Sequence, residues 1–490
     1  GEPVALWSHF ASLSSIPRPS RQEEAVLAYV RGVAERQGLA WTQDAAGNLL
    51  VRRPGSGGGE RAEPVLLQGH VDMVCEKNAG TMHDFNSDAL TLRTDGDWLR
   101  ATDTTLGADN GIGVAATLAV LESGPEAKLP PVEALFTVNE ETGLVGASAL
   151  DGGMVSAKRM LNLDTEEFGS VYIGCAGGSQ SRLDIQSVFE PAVPGSVRVE
   201  LEVKGLLGGH SGINIHEYRG NAVLMAGILA TDVLTEVTGA RLVGLEGGDK
   251  HNAIPREARV IVAVPEGAVP EVKAIAARCA EALRAEYGLL ETGLEVVATL
   301  GEGPVEEVFA VADATRVLAA LRLLPHGVIK MSHAIQGLVE TSNNVASVKI
   351  SSGSVHIALS TRSSLGSAME ATHKQLQAVA NLAGGRLEVG SSYPGWAPVP
   401  SAPLVNLTVN KLEIRAGSKP EILAIHAGLE CGILLGKCPC IEEAVSFGPT
   451  IKGAHSPDER LEISTVAPFY NALLDILAEL AVTPAKTSKF

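Results

Sequence analysis

Apolar positions along the chain fall into two patterns. The first is the short unbroken run: Pro64-Val65-Leu66-Leu67-Gln68-Gly69-His70, residues 132–138 (VEALFTV) and residues 159–163 (RMLNL). A strand covered on both faces reads this way, because neither side needs polar residues. The second is the helical stripe, at residues 21–38 and at 110–122, the latter directly after Asp109. Gly47-Asn48-Leu49-Leu50-Val51 adds a strand after a turn, and residues 54–63 (PGSGGGERAE) read as a solvated loop. Strands alternating with helices predict an α/β domain with a central mixed sheet flanked by helices and a site at the strand ends.

The pattern changes over residues 181–199, where Pro191 and Pro194 lie in a polar stretch. Beyond it the order is strand, helix (219–235), strands, helix (268–287). A similar order recurs as helix (308–323), strands (336–361), helix (366–383). Two α/β halves side by side are expected. Residues 391–403 (SSYPGWAPVPSAP) form a Pro-rich exit, after which helix 403–415, strand 421–425 and helix 464–481 complete the first domain. The predicted layout is a catalytic domain in two parts, 1–187 and 392–490, interrupted by an inserted α+β lid domain at 188–391.

Length and charge narrow the picture. The 490 residues exceed one simple core, since domains run to roughly 100–200 residues. Asp and Glu number 57 against 39 Lys and Arg, a net charge of −18. That balance argues against nucleic-acid and anionic-membrane partners. Six scattered cysteines do not form a disulfide framework, and Cys438-Pro439-Cys440 lacks the second pair of a zinc ribbon. Reduced thiols in the cytoplasm are expected. The N-terminal region carries Glu2, His9 and Arg18 without a long apolar run, so no signal peptide is expected. No stretch approaches about 18 uninterrupted apolar residues, so no membrane span is expected either. The terminal Ser488-Lys489-Phe490 is one residue from a peroxisomal Ser-Lys-Leu, which we treat as chance.

Candidate chemistry gathers at the ends of the apolar runs. His70 and Asp72 are two apart in an extended segment and so face the same way. Asp109 follows Leu106-Gly107-Ala108, Glu140-Glu141 follow the run at 132–138, and Asp164 follows Leu161-Asn162-Leu163. A charge beside a buried strand is costly unless it is paired or binds a cation. An acidic cluster with a histidine suits a hard-to-borderline divalent metal.

These motifs, with Gly453-Ala454-His455-Ser456-Pro457-Asp458-Glu459, resemble the ordered zinc-site motifs of the co-catalytic metallopeptidase family. Aminoacylases, carnosinases and succinyl-diaminopimelate desuccinylase belong to that family. The likeness runs from Trp7 to the final helix. LGADNGIG (106–113), CAGG (175–178), GGHSG (208–212), HNAIPRE (251–257), HAGLECG (426–432) and GPTIKGAHSPDE (448–459) resemble its dipeptidase branch. Asn110 stands where many members carry an acid, and Gly428-Leu429-Glu430-Cys431 differs from the Gly-Thr-Asp type of desuccinylases. The first departure is expected of the dipeptidase branch, and the second argues against desuccinylation.

The resemblance implies two Zn2+ per chain, for which Co2+ or Mn2+ could substitute. Asp109 would bridge them, with His70 and Asp164 completing one site and Glu141 and His455 the other. Three carboxylates and a hydroxide would balance the two cations. Asp72 would accept the second His70 N–H and fix its tautomer. Glu140 would be the general base toward a metal-bound hydroxide. His210 would stabilise the oxyanion, while Asn252, Arg362, His426 and Gly428 would hold the substrate. Arg362 also reads as an ordinary strand-end ion pair. The implied activity is hydrolysis of unblocked dipeptides, with Xaa-His substrates such as carnosine favoured. The alternatives are a tripeptidase, aminoacylase or desuccinylase, or a non-catalytic binding homologue. A homodimer is left open.

Overall fold

The run ending at His70 is the strand Val65–His70, buried at every position. It lies inside an eight-stranded mixed sheet, which explains why it needs no polar face. The computed structural model describes residues 2–482, and Ser488-Lys489-Phe490 lies outside them. The sheet order is Ala40–Gln43, Leu49–Arg53, Val132–Thr137, Val65–His70, Arg159–Asn162, Glu443–Ser446, Ser170–Cys175, Glu421–Ile425. Val65–His70 runs parallel to both neighbours, and Glu443–Ser446 runs parallel to Arg159–Asn162. Register pairs set His70 beside Thr137, Gln68 beside Asn162, and Asn162 beside Ser446. The carboxyl ends of the parallel strands therefore finish nearly level, and the loops that follow start from one edge.

This sheet belongs to the first of two units, made of residues 1–175, 396–424 and 429–490. The helix Ala108–Leu121 is buried along its whole length, with Val4–Ser14 packed on it. Ile463–Val482 is long and apolar enough to cross a membrane by length and composition, which a search for uninterrupted apolar runs does not detect. Its Phe469, Leu473, Ile476 and Leu477 are buried in the unit, and its Asp475 pairs with Arg415 at 2.7 Å. It is a core helix of this unit. A small antiparallel sheet, which the apolar pattern does not predict, comprises Ile451–Lys452, Arg460–Glu462, Trp98–Ala101 and Leu92–Asp95. It carries the loop with His455 and the chain leading to Asp109.

The second unit comprises residues 176–395 and 425–428. Its nine-stranded sheet is antiparallel; eight strands form two copies of one topology, and the ninth, Gly327–Met331, pairs with Val339–Ser351. One half runs Ser196–Lys204, helix Ala222–Glu236, Arg241–Gly247, Ala258–Pro265, helix Val269–Tyr287, Glu295–Leu300. The other runs Gly177–Gln186, helix Val311–Leu323, Val339–Ser351, Ser354–Ser363, helix Gly366–Leu382, Arg386–Tyr393. Each is a β-α-β-β-α-β unit with its strands ordered fourth, first, third, second. The halves meet where Gly247 pairs with Val348, and their helices and strands share one core.

The first of these halves is threaded into the other after its opening strand. The two crossings, Phe189–Pro191 and Glu307–Phe309, pair antiparallel, and the Phe189 and Phe309 rings lie 4.4 Å apart. The inserted unit is therefore wider than 188–391. The proline-bearing segment is a crossing between halves, and the strand before it already belongs to this unit.

Candidate metal centre

The level strand ends of the first unit bring the acidic residues together. His70 is the last residue of its strand and is buried. Glu140 and Glu141 follow Val132–Thr137, and Asp164 follows Arg159–Asn162. Asp109 lies just past Gly107, whose φ of +66° is a left-handed conformation suited to glycine. His70 Nε2 is 3.0 Å from Asp109 Oδ1 and 3.5 Å from Asp164 Oδ1. His455 Nε2 is 3.0 Å from Asp109 Oδ2 and 3.1 Å from Glu141 Oε2. Each oxygen of Asp109 thus faces one histidine.

Potential ligand atoms fall into the triplets His70/Asp109/Asp164 and Asp109/Glu141/His455, each within 4.8 Å, and a third triplet is His70/Glu140/Glu141. Glu141 Oε1 and Asp164 Oδ1 are buried and accept no hydrogen bond. Unpartnered carboxylate oxygens beside imidazole nitrogens are what a divalent cation would satisfy, so the donor set fits such a group.

The electrostatics match an acidic cluster that takes up protons where cations are absent. Burial alone would lower the His70 pKa, yet the charges of Asp164 and Glu140 and the close contacts with Asp109 and Asp164 lift it well above the usual imidazole value. Hydrogen bonds to Asp109 and Glu141 raise His455 to about 11. Against the upward push of burial, bonds from His455 and His70 hold Asp109 far below the carboxylate range. Burial, then Glu430, Asp164 and Glu141, raise Glu140 to about 9 against the opposing His70. Burial and Asp109 push Glu166, which the motifs did not single out, up to about 7.

Around this cluster lie supports. Asp72 is fully buried. Its oxygens accept the backbone N–H groups of Glu140 at 3.0 Å and Glu141 at 3.1 Å, and the Ser20 hydroxyl at 2.7 Å. The acceptor nearest His70 Nδ1 is the Asp72 main-chain carbonyl at 3.1 Å, with the carboxylate at 3.5 Å. The carboxylate expected to orient His70 therefore chiefly orients Glu140-Glu141. Three buried residues with no role in the sequence reading also act here. Arg18 donates to the carbonyls of Val71 at 2.9 Å and Gly107 at 2.5 Å. Glu459 accepts the N–H groups of Leu106, Gly107, Ala108 and Asp109. Glu430 Oε2 accepts from Gln68 at 2.7 Å and Thr137 at 3.0 Å.

The remaining candidates lie in the second unit. His210 Nδ1 accepts the N–H groups of Gly212 and Ile213, both at 3.1 Å. An acceptor Nδ1 puts the ring proton on Nε2, and burial with Arg362 and His251 nearby lowers the pKa. His210 is thus a neutral N–H donor. A Cβ on Gly212 would come 2.3 Å from the His426 carbonyl and 3.1 Å from Arg362, so glycine allows these residues to meet. Asn252 is exposed, and its carbonyl accepts the Ser211 N–H at 2.8 Å. A Cβ on Gly428 would come 2.9 Å from the Tyr393 ring.

Arg362 is 7% exposed. It donates to Tyr393 Oη at 3.2 Å, its Nε lacks an acceptor, and no carboxylate pairs with it among the described residues. The strand-end ion pair is therefore not formed, and the guanidinium keeps a buried donor without an acceptor. His426 Nε2 contacts Ser342 Oγ at 2.7 Å, and burial followed by Arg362 lowers its pKa to about 3.

Comparison with known proteins adds a second line of observation. The profile of Peptidase family M20/M25/M40 matches residues 66–479. The chain is 38% identical over 485 residues to the cytosol non-specific dipeptidase of Escherichia coli K12, covering 99% of this chain and 98% of that one. The crystal structure of aminoacylhistidine dipeptidase from Vibrio alginolyticus superposes with a TM-score of 0.91 at 40% identity, covering 98% of this chain and 97% of the other. A tripeptidase from Staphylococcus aureus shares the fold at 16% identity, with a TM-score of 0.54 and 98% coverage of both chains.

Proposed function

The chain belongs to Peptidase family M20/M25/M40, and from that premise we propose that it is a dinuclear metallodipeptidase cleaving unblocked dipeptides, with Xaa-His substrates such as carnosine among them. The observation that carries this reading is Asp109, whose two oxygens face separate histidines, each with a second carboxylate beside it. The names of the Escherichia coli and Vibrio alginolyticus relatives support the substrate class and a cytoplasmic setting. Six unpaired cysteines are consistent with that setting.

His70, Asp109 and Asp164 would hold one divalent cation, and Asp109, Glu141 and His455 the other. Nitrogen and carboxylate donors together suit zinc. The pair would supply Lewis acidity that polarises the scissile carbonyl and acidifies the attacking water. Glu140 carries no ligand role in this assignment. Its carboxylate, ionised when the cations are bound beside it, would take a proton from water and return it to the leaving amine. Asp72 holds the Glu140 and Glu141 backbone in place. His210, with its proton fixed on Nε2, donates to the developing oxyanion. Arg362 receives the substrate's terminal carboxylate, with Asn252, His426 and Gly428 around it.

The test is a panel of dipeptides, tripeptides and N-acyl amino acids assayed with chelated and zinc-reconstituted protein. Zinc-dependent turnover confined to free dipeptides is expected. Faster turnover of N-acyl substrates, or full activity after chelation, would overturn the reading.

A further inference from the structure

We propose that Glu459 is a positioning residue of the metal centre, clamping the loop that carries Asp109 to the loop that carries His455. The inference rests on the metal reading above. Glu459 is 2% exposed. Its Oε2 accepts Leu106 N–H at 2.7 Å and Gly107 N–H at 2.9 Å, and its Oε1 accepts Ala108 N–H at 2.8 Å and Asp109 N–H at 3.2 Å. Successive amides converging on one carboxylate form an anion-binding nest. These amides lead into the helix Ala108–Leu121, where the first N–H groups have no partner inside the helix.

The clamp joins distant parts of the sequence at one edge of the small sheet. His455 and Glu459 lie in the turn between Ile451–Lys452 and Arg460–Glu462. The latter strand pairs Arg460 with Arg100 and Leu461 with Leu99, and the chain beyond Ala101 runs on to the Asp109 loop. His455 has a φ of +64°, a left-handed conformation that a non-glycine residue holds only where its surroundings enforce it. On the other side, Arg18 takes the Gly107 carbonyl. Both polar groups of the Gly107 backbone are therefore fixed, one by Glu459 and one by Arg18.

This arrangement does more than stabilise. Asp109 and His455 must stay matched across two loops for the second triplet to exist, and metal sites tolerate errors of only about 0.2 Å. In E459Q the amide presents N–H donors to backbone donors, and half of the nest is lost. The control is E133Q. Glu133 is another buried carboxylate that accepts backbone N–H groups, from Ser156 at 2.9 Å and Ala157 at 3.0 Å. It lies at the start of Val132–Thr137, the end of that strand remote from Glu140.

Metal-free wild-type, E459Q and E133Q proteins are titrated with zinc, and amide exchange over residues 106–109 is followed by mass spectrometry. Wild type and E133Q are expected to bind two ions alike. E459Q is expected to bind one as wild type does and the other about 10–100-fold more weakly, with faster exchange over 106–109. If E459Q does not fold, E459D, whose carboxylate is one methylene short, is judged by the same criterion. Wild-type titration or exchange in the Glu459 variant, or a zinc loss no greater than that of E133Q, would overturn the clamp. A wild-type protein binding fewer than two ions would refute the metal reading instead, and exchange at 106–109 would still judge the clamp.

Discussion

Replacing Asp72 by Asn removes a negative charge and one acceptor while keeping the side chain's shape. Its two oxygens serve Glu140 N–H, Glu141 N–H and the Ser20 hydroxyl. However the amide turns, its NH2 faces at least one backbone donor, which is left buried without a partner at a cost of about 1–3 kcal/mol. A second route gives a similar figure. Burial would raise the Asp72 pKa, but hydrogen bonding and charge from His70, with Ser20 and the Glu140 amide, bring it from 3.8 down to about 2, which corresponds to about 2 kcal/mol. A depressed acid contributes this stability above the unfolded-state pKa and loses it as pH falls from 3.8 through about 2. At pH 7 the effect should be present in full. All four tryptophans, Trp7, Trp41, Trp98 and Trp396, lie in the first unit, so their fluorescence follows the affected unit during urea unfolding. Metal-free D72N should be about 2 kcal/mol less stable than wild type at pH 7. Its zinc affinity should fall about 10–100-fold, the usual consequence of disturbing the supports of metal ligands. Equal stability and equal zinc titration would refute the reasoning.

Glu140→Gln should lower kcat by about 10²–10⁴, the scale of general acid–base catalysis, with zinc content by elemental analysis unchanged; near-wild-type kcat would remove Glu140 from the proton path. The metal-free protein should lose stability as pH rises. His455, raised to about 11, stabilises the fold fully below its unfolded value of about 6.5 and loses this as pH approaches 11. Glu140, raised to about 9, becomes unfavourable to ionise over the interval from 4.5 upward, with the same sign. Thermal unfolding with chelator should therefore shift down between pH 6 and 9, while saturating zinc flattens the profile; a flat profile with chelator would contradict the assignment.

Much of the first unit was legible because strands buried on both faces leave unbroken apolar runs, and an acid directly after such a run stands out. Glu140, Glu141 and Asp164 became candidates this way and His70 closes such a run, while Asp109 was read from the short Leu106-Gly107-Ala108 segment before a helix. His455 did not, since it follows the two-residue strand Ile451–Lys452, and only the resemblance singled it out. Trp98–Ala101 was missed because it is half exposed and four residues long. In the second unit, Gly177–Gln186 opens with Gly-Gly-Ser and gives little apolar signal. Its membership depends on pairing with Ser354–Ser363 and Arg386–Tyr393, far along the chain. Arg18, Glu430 and Glu459 were silent for the same reason: a lone charge gains meaning only from its distant partners.

The supporting carboxylates differ from the candidate ligands in how they are neutralised. Asp72 and Glu459 are buried and face backbone N–H groups, which supply positive dipoles without a counter-ion. Glu141 and Asp164 each keep a buried oxygen that accepts no hydrogen bond. Were the cluster merely structural, the shorter solution would give those oxygens amides too, as the fold does for Asp72, whose carboxylate takes the Glu140 and Glu141 N–H groups. Leaving them bare costs stability unless cations arrive. Glu430 marks the limit of this division. One oxygen has Gln68 and Thr137 as donors and the other has none, and burial raises its pKa. Its donors are side chains of the neighbouring strands Val65–His70 and Val132–Thr137, so it ties these strands together behind the site and leaves the bare oxygens of Glu141 and Asp164 to a cation.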